Sequence, residues 1–210
     1  MKAIGKLISI GSEALATVGL PDTTGGSWSS SLELEVLAML RLRNGFFAFE
    51  GALHVLPIGG QPGVMNLGAW NSSHLWRHEY GNLADGLFFF AEDAFGNQFC
   101  LRENRVCLFD AETGQTEPIG SSIEDWAGHV LSDYDLLTGF PLFHEWQVVH
   151  GPVPVGSRLL PLVPFVLGGD YSLTNLRVAG AVSGMRARGN LAQQIRDLPD
   201  GAQIEFKVVD

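Results

Sequence analysis

The firmest hydrophobic pattern in the chain lies between Ser30 and Gly45. Leu32, Val36, Leu37, Met39 and Leu40 recur at helical spacing. Ser30, with Glu33 three residues on, forms a capping box, and Asn44-Gly45 is a stop signal, so a helix is predicted between them. Upstream, residues 1–20 are weakly patterned, and Pro21 to Ser31 reads as a loop. Downstream, Phe46 to Phe49 and Leu53 to Ile58 read as short strands around Glu50-Gly51. Gly59 to Gly63 then breaks the pattern, and a short helix is predicted over Asn71 to Tyr80.

The middle of the chain carries strand patterns. Leu87 to Ala91 is an apolar, aromatic run bounded by Asp85-Gly86 and by Asp93 to Asn97, which predicts a buried strand. Gln98 to Arg102 and Arg105 to Asp110 alternate around Glu103-Asn104. A two-residue hairpin loop there pairs Leu101 with Val106 and Phe99 with Leu108, placing all four on one face, read as the core face. The opposite face then carries Gln98, Cys100, Arg102, Arg105, Cys107 and Phe109. Ser121 or Ser122 caps a helix through Ile123, Trp126, Ala127 and Val130, with Glu124 and Asp125 in its first turn. Pro141 to Pro164 is interrupted by prolines and resists assignment. Asn190 is read as the cap of a helix over Leu191 to Leu198, and Pro199-Asp200-Gly201 as a turn into an alternating strand, Gln203 to Val209. Strands and helices do not alternate regularly, so the expected class is α+β, an antiparallel meander packed with a few helices.

Composition narrows the function classes. The 210 residues are 46% hydrophobic and 17% charged, which suits one or at most two folded domains and excludes intrinsic disorder. Two cysteines cannot form a disulfide scaffold. The run Leu7 to Ile10 is too short and broken for a secretory segment, and no stretch approaches a membrane span, so a cytoplasmic protein is expected. The net charge of −10 argues against nucleic acid and anionic membrane as partners. Eleven of the acids, against two bases, fall between Asp85 and Asp135. Acids are favoured in turns and helix starts for local reasons; the alternative is a negative face that steers a basic partner.

No motif specifies catalysis. His74 and His78 have i, i+4 spacing, but the zincin order His-Glu-x-x-His is not met. Cys100 and Cys107 fall opposite each other in the hairpin and read as half-buried small hydrophobes rather than a disulfide or a nucleophile. Gly59-Gly60-Gln61-Pro62-Gly63 lacks the Gly-Lys-Ser/Thr ending of a phosphate loop, and Gly168-Gly169-Asp170 opens no dinucleotide fingerprint. Glu92-Asp93 has the composition of an acid/base pair, with no nucleophile or oxyanion hole implied around it. The expectation is a non-enzymatic protein with no catalytic residues, no metal and no cofactor.

At the meander the sequence resembles the SUKH superfamily, which includes the yeast cell-wall-assembly-regulator domain and many bacterial immunity proteins. The resemblance rests on Phe90 to Leu101, Arg105 to Asp110 and Ile119 to Trp126, with Gly19-Leu20-Pro21 and Asn44-Gly45 similar to the family's opening pattern. The loop Asp22 to Ser29 is longer than that pattern has. The resemblance implies a single domain with a core over about residues 15–135 and a C-terminal extension over about 140–210. It also implies a binding protein that neutralises a cognate toxin, such as a nuclease or deaminase, or alternatively a regulatory domain binding a cellular partner. Neither motif nor spacing supplies contact residues. On charge alone, Asp110, Glu112, Glu117, Glu124 and Asp125 are the expected partner-binding positions.

Overall fold

A computed structural model describes residues 2–17, 28, 30–60, 65–199 and 201–202. The expected entry motif Gly19-Leu20-Pro21, most of the loop after it, part of the Gly59 to Gly63 break and the strand at Gln203 to Val209 lie outside the described residues. The architecture is α+β. Six strands, β1 (Phe46–Ala48), β2 (Leu53–Val55), β3 (Phe88–Glu92), β4 (Gln98–Arg102), β5 (Arg105–Phe109) and β6 (Thr116–Gly120), form one antiparallel sheet in chain order. A second sheet pairs β7 (Ser157–Pro161) with β8 (Leu176–Gly180).

The helix predicted after Ser30 is α2 (Ser31–Leu42). Its capping box is complete: the Glu33 backbone N–H donates to the Ser30 hydroxyl, and the Ser30 N–H to the Glu33 carboxylate. Its apolar stripe is buried throughout. The hairpin register is also as predicted, with Phe99 opposite Leu108, Cys100 opposite Cys107 and Leu101 opposite Val106.

The reading of a single core face for that hairpin is corrected, because the sheet is covered on both sides. On one side Phe90 and Phe99 meet Trp126 of α4 (Ile123–Ser132), with ring centroids 5.0 and 5.5 Å apart. Helices α1 (Ala3–Ser9) and α2 pack against α4. On the other side Phe89 and Phe109 meet Trp76 and Tyr80, and the Trp70 indole N–H donates to Gln98 Oε1 at 2.8 Å. Cys100 and Cys107 are therefore fully buried free thiols on this second face, not half-buried ones.

Three further expectations are revised. The helix over Asn71 to Tyr80 is instead two pieces, α3 (Leu67–Trp70) and a 3₁₀ segment (Arg77–Ala84), with turns between. The Asn71 side chain explains the break. Its Oδ1 accepts from the Phe89 N–H and its Nδ2 donates to the Leu67 and Phe89 carbonyls, ending α3 against β3. The unassigned Pro141 to Pro164 region holds α6 (Phe140–His150), which opens on Pro141 just after the short helix α5 (Tyr134–Thr138), and then β7. Finally, Asn190 does not cap a helix. It sits inside α7 (Ala181–Ile195), which runs on through Gly184 and Gly189.

Both glycines are points of close approach. A Cβ on Gly184 would lie 2.5 Å from Leu160 Cδ1, and one on Gly189 would lie 2.7 Å from Tyr80 Cδ2 and 2.8 Å from Glu79 Cβ. The Tyr80 ring cannot yield, since it is wedged between Trp76 and Phe109 and its hydroxyl donates to the Ala111 carbonyl at 2.6 Å. Gly189→Ala is therefore expected to destabilise the fold by about 1–2 kcal/mol, the strain of overpacking exceeding the gain in helix propensity. Urea unfolding measures this directly, and a stabilised variant would contradict the packing argument.

Candidate functional site

The doublet Glu92-Asp93 ends β3 at the edge of the region that residues 140–202 cover. Both acids are buried, and they have separate partners. Glu92 Oε1 accepts from Arg158 Nη2 at 2.8 Å and from His54 Nδ1 at 2.9 Å. Burial opposes its charge, but Arg158, His54 and Gln98 together hold its carboxyl down at about 2. Burial also pushes His54 below its usual range, so the imidazole is neutral and Arg158 is the cation of the group. Asp93 instead organises the β3–β4 turn. Its Oδ1 accepts from the Phe95 and Asn97 N–H groups and its Oδ2 from Asn97 Nδ2, all within 2.8–2.9 Å. Here burial outweighs those bonds and Arg188, and the carboxyl rises to about 7. The two carboxyls are thus a structural ion pair and a turn organiser rather than a facing acid/base pair.

Arg188 of α7 is buried behind this turn. It donates from Nη1 to the Phe95 carbonyl and from Nε to the Gly184 carbonyl, and among the described residues no carboxylate lies within ion-pair distance of it. Beside it opens a hollow of about 250 Å³ between the turn after β5 and the 162–171 loop. Asp110 and Glu112 form one wall. Phe95, Phe165 and Tyr171 form the other, with Phe165 and Tyr171 stacked at 3.8 Å and 4° and Phe95 edge-on to both.

The five expected partner-binding residues do not converge on one face. Asp110 is exposed, and its Oδ1 accepts from the Glu112 and Thr113 N–H groups, shaping the turn. Glu112 is buried at 5% exposure and accepts from the Val166 N–H at 2.8 Å, and its burial raises its carboxyl above the usual range. Glu117 is exposed on β6. Glu124 and Asp125 lie apart from these, at the start of α4. Glu124 accepts from the Ala3 and Ile4 N–H groups and so caps α1, while Asp125 Oδ2 accepts from the Ser121 N–H and hydroxyl. Ser122, not Ser121, accepts from the Asp125 N–H as the cap of α4. Three of the eleven acids counted in the sequence, Glu92, Asp93 and Glu112, are buried. Seven, from Asp85 to Asp135, are exposed, alongside only Arg102 and Arg105.

Arg158, Arg188, Phe165 and Tyr171 escape sequence reasoning. The only hint of the two arginines is that acids on a buried strand end need cations, and nothing in the sequence says which ones. His74 and His78 do not share a helix face, since His74 lies in the turn before the 3₁₀ segment that holds His78. Among the described residues no helix is long and apolar enough to cross a membrane.

No family model and no curated protein matches the chain. Among solved structures, the chain is similar to the crystal structure of Atu4351 from Agrobacterium tumefaciens, at 14% identity and a TM-score of 0.48, covering 82% of this chain and 85% of that one.

Proposed function

We propose that the protein is a non-enzymatic binding module that holds a basic protein partner, and that it acts as an immunity protein against a toxin such as a nuclease or deaminase. The observation that carries this reading is the exposed charge of residues 85–135: seven exposed acids face solvent with two exposed bases among them. Enzymes that act on nucleic acid present basic grooves, which an excess of exposed acids attracts even where those acids do not share one face. The SUKH-like meander motifs support the same reading. The buried Glu92 carboxylate is engaged by Arg158 and His54 and held down at about 2, which makes it a poor proton donor or acceptor at neutral pH.

Co-expression with the proteins encoded by adjacent genes tests the proposal. The expected result is rescue of growth and a co-purifying complex whose association slows as salt rises. Glu103→Lys with Glu117→Lys, both on exposed positions, is expected to slow association about tenfold at low salt. Failure of every neighbour to be neutralised or bound would remove the reading.

A further inference from the structure

We propose that the cleft between the turn after β5 and the 162–171 loop is the docking groove for a lysine- or arginine-bearing segment of a protein partner. In this arrangement the basic side chain enters beside Tyr171 and a neighbouring apolar side chain lies past Val166. The inference rests on the partner-binding reading above and says where and how that partner is gripped.

Two hollows meet at Val166. The first, of about 250 Å³, is walled by Asp110, Glu112 and the rings of Phe95, Phe165 and Tyr171. The second, of about 530 Å³, is lined on one side by Val163, Leu167, Ile195 and Leu198 beside Val166, and on its polar side by Thr113, Gln115 and Arg196. The first suits a cation, because ring faces and carboxylates attract positive charge together, and a desolvated ammonium or guanidinium over a ring gains about 0.5–2 kcal/mol. Asp110 spends only Oδ1 on its own turn, and among the described residues Oδ2 has no hydrogen bond. The acids act on the ring: partial burial raises the Tyr171 hydroxyl, and Glu112, Asp110 and Asp93 raise it further. Arg188 lies at the base of the hollow, but its guanidinium is turned onto the Phe95 and Gly96 carbonyls.

The exposed surface adds a second reason. Tyr171 is 68% exposed although its ring is fixed by stacking on Phe165, and Val163, Val166 and Leu198 are 51%, 41% and 45% exposed. A rigid aromatic platform next to a strip of exposed aliphatic side chains is the pattern of an interface centre. Acids at one end and aliphatic residues at the other commit the occupant to a basic residue with an apolar neighbour.

The test titrates the isotopically labelled full chain with acetyl-Leu-Lys-Leu-amide, following backbone amide shifts. A second peptide carries norleucine in place of the lysine. Shifts are expected at Asp110, Glu112, Val166 and Tyr171, with the norleucine peptide bound roughly fivefold more weakly. Tyr171→Ala and Asp110→Asn, the latter keeping the Oδ1 acceptor of the turn, should each weaken the lysine peptide by a similar factor. Binding should also weaken on acidification, because burial raises the Glu112 carboxyl above its usual range, Asp93 nearby is raised to about 7, and protonating either removes negative charge beside the cation. Equal binding of the two peptides, shifts mapping elsewhere, or no shifts would overturn the proposal. A lysine-specific groove in a protein that binds none of its encoded neighbours leaves the groove standing and removes the immunity reading. A toxin complex indifferent to Tyr171→Ala and Asp110→Asn does the reverse.

Discussion

Arg158→Met is expected to lower the unfolding free energy by about 3–5 kcal/mol at pH 7, because it strands a buried carboxylate. Arg158 and Glu92 are 4% and 3% exposed, and among the described residues their contact at 2.8 Å is the only direct ion pair Glu92 makes with a residue that is charged at neutral pH. His54 bonds the same oxygen, but as a neutral ring. Glu92→Gln should also be costly: the amide oxygen can still accept from Arg158, but the buried guanidinium loses its counter-charge, and among the described residues its other bonds run to the Gly51 and Ser157 carbonyls at 3.5 and 3.3 Å. The double variant Glu92→Gln/Arg158→Met should lose clearly less than the two single losses added, as replacing a buried pair is milder than breaking one. Urea unfolding of all four proteins measures the coupling; strictly additive losses would mean the pair contributes nothing as a pair.

The sign of the pH dependence follows from the same group. Glu92 is held at about 2, below its ordinary 4.5, so its stabilisation is present above pH 4.5 and is lost as pH falls from there toward 2. His54 is depressed below 6.5, so its neutral form contributes above pH 6.5 and its contribution declines on acidification. Asp93 runs the other way. Raised from 3.8 to about 7, its contribution is present at low pH and lost as pH rises through 7. Because Asp93 is unchanged in all four proteins, its effect cancels in the cycle. The coupling should therefore shrink between pH 4.5 and 2 whatever Asp93 does.

What the sequence makes legible is whatever depends on neighbours close along the chain. The α2 capping box, the α4 start and the β4–β5 hairpin register are all set within a dozen residues, and the structure places them as periodicity and turn length require. Burial on the second face of the sheet is not legible in this way. Gln98 and Cys100 look like the solvent side of an alternating strand until Trp70, Trp76 and Tyr80 are brought over them. The same applies to α7, of which the sequence shows only the part from Leu191 on, because Gly184 and Gly189 make room for Leu160 and Tyr80, side chains distant in sequence. Strand β6, with Pro118 and exposed Glu117, has too little apolar alternation to be seen, although it pairs with β5 as an edge strand, through an irregularity between Val106 and Cys107. The charge count located the acids correctly but could not divide them into buried, capping and exposed ones. That division depends on Arg158, on the start of α1 and on the 162–171 loop.

A chain ending at His150 is expected not to fold, although it retains all six strands of the main sheet. The missing part is built into the core rather than attached to it. Met185 and Ala192 of α7 belong to the central cluster with Trp76 and Tyr80, and Leu159 and Leu176 close a second cluster with Ala52, Ala94 and Phe95. Backbone and side-chain bonds follow the same route: Leu159 N–H to the Ala94 carbonyl, Arg188 to the Phe95 carbonyl, Arg186 to the Leu75 carbonyl and Arg196 to Asn82. Losing the burial that Met185, Leu159 and Leu176 contribute against Trp76, Tyr80, Ala94 and Phe95 costs about 2 kcal/mol for each, and the stranded Glu92 adds about 3–5. Together these approach the whole stability of an ordinary domain, about 5–15 kcal/mol. The truncated chain should show no cooperative urea transition by tryptophan fluorescence, whereas co-expression with residues 151–210 as a separate chain should restore one. A sharp two-state transition in the truncated chain alone would show that the sheet and helices α1–α6 form a self-sufficient core, with β7, β8 and α7 an addition to it.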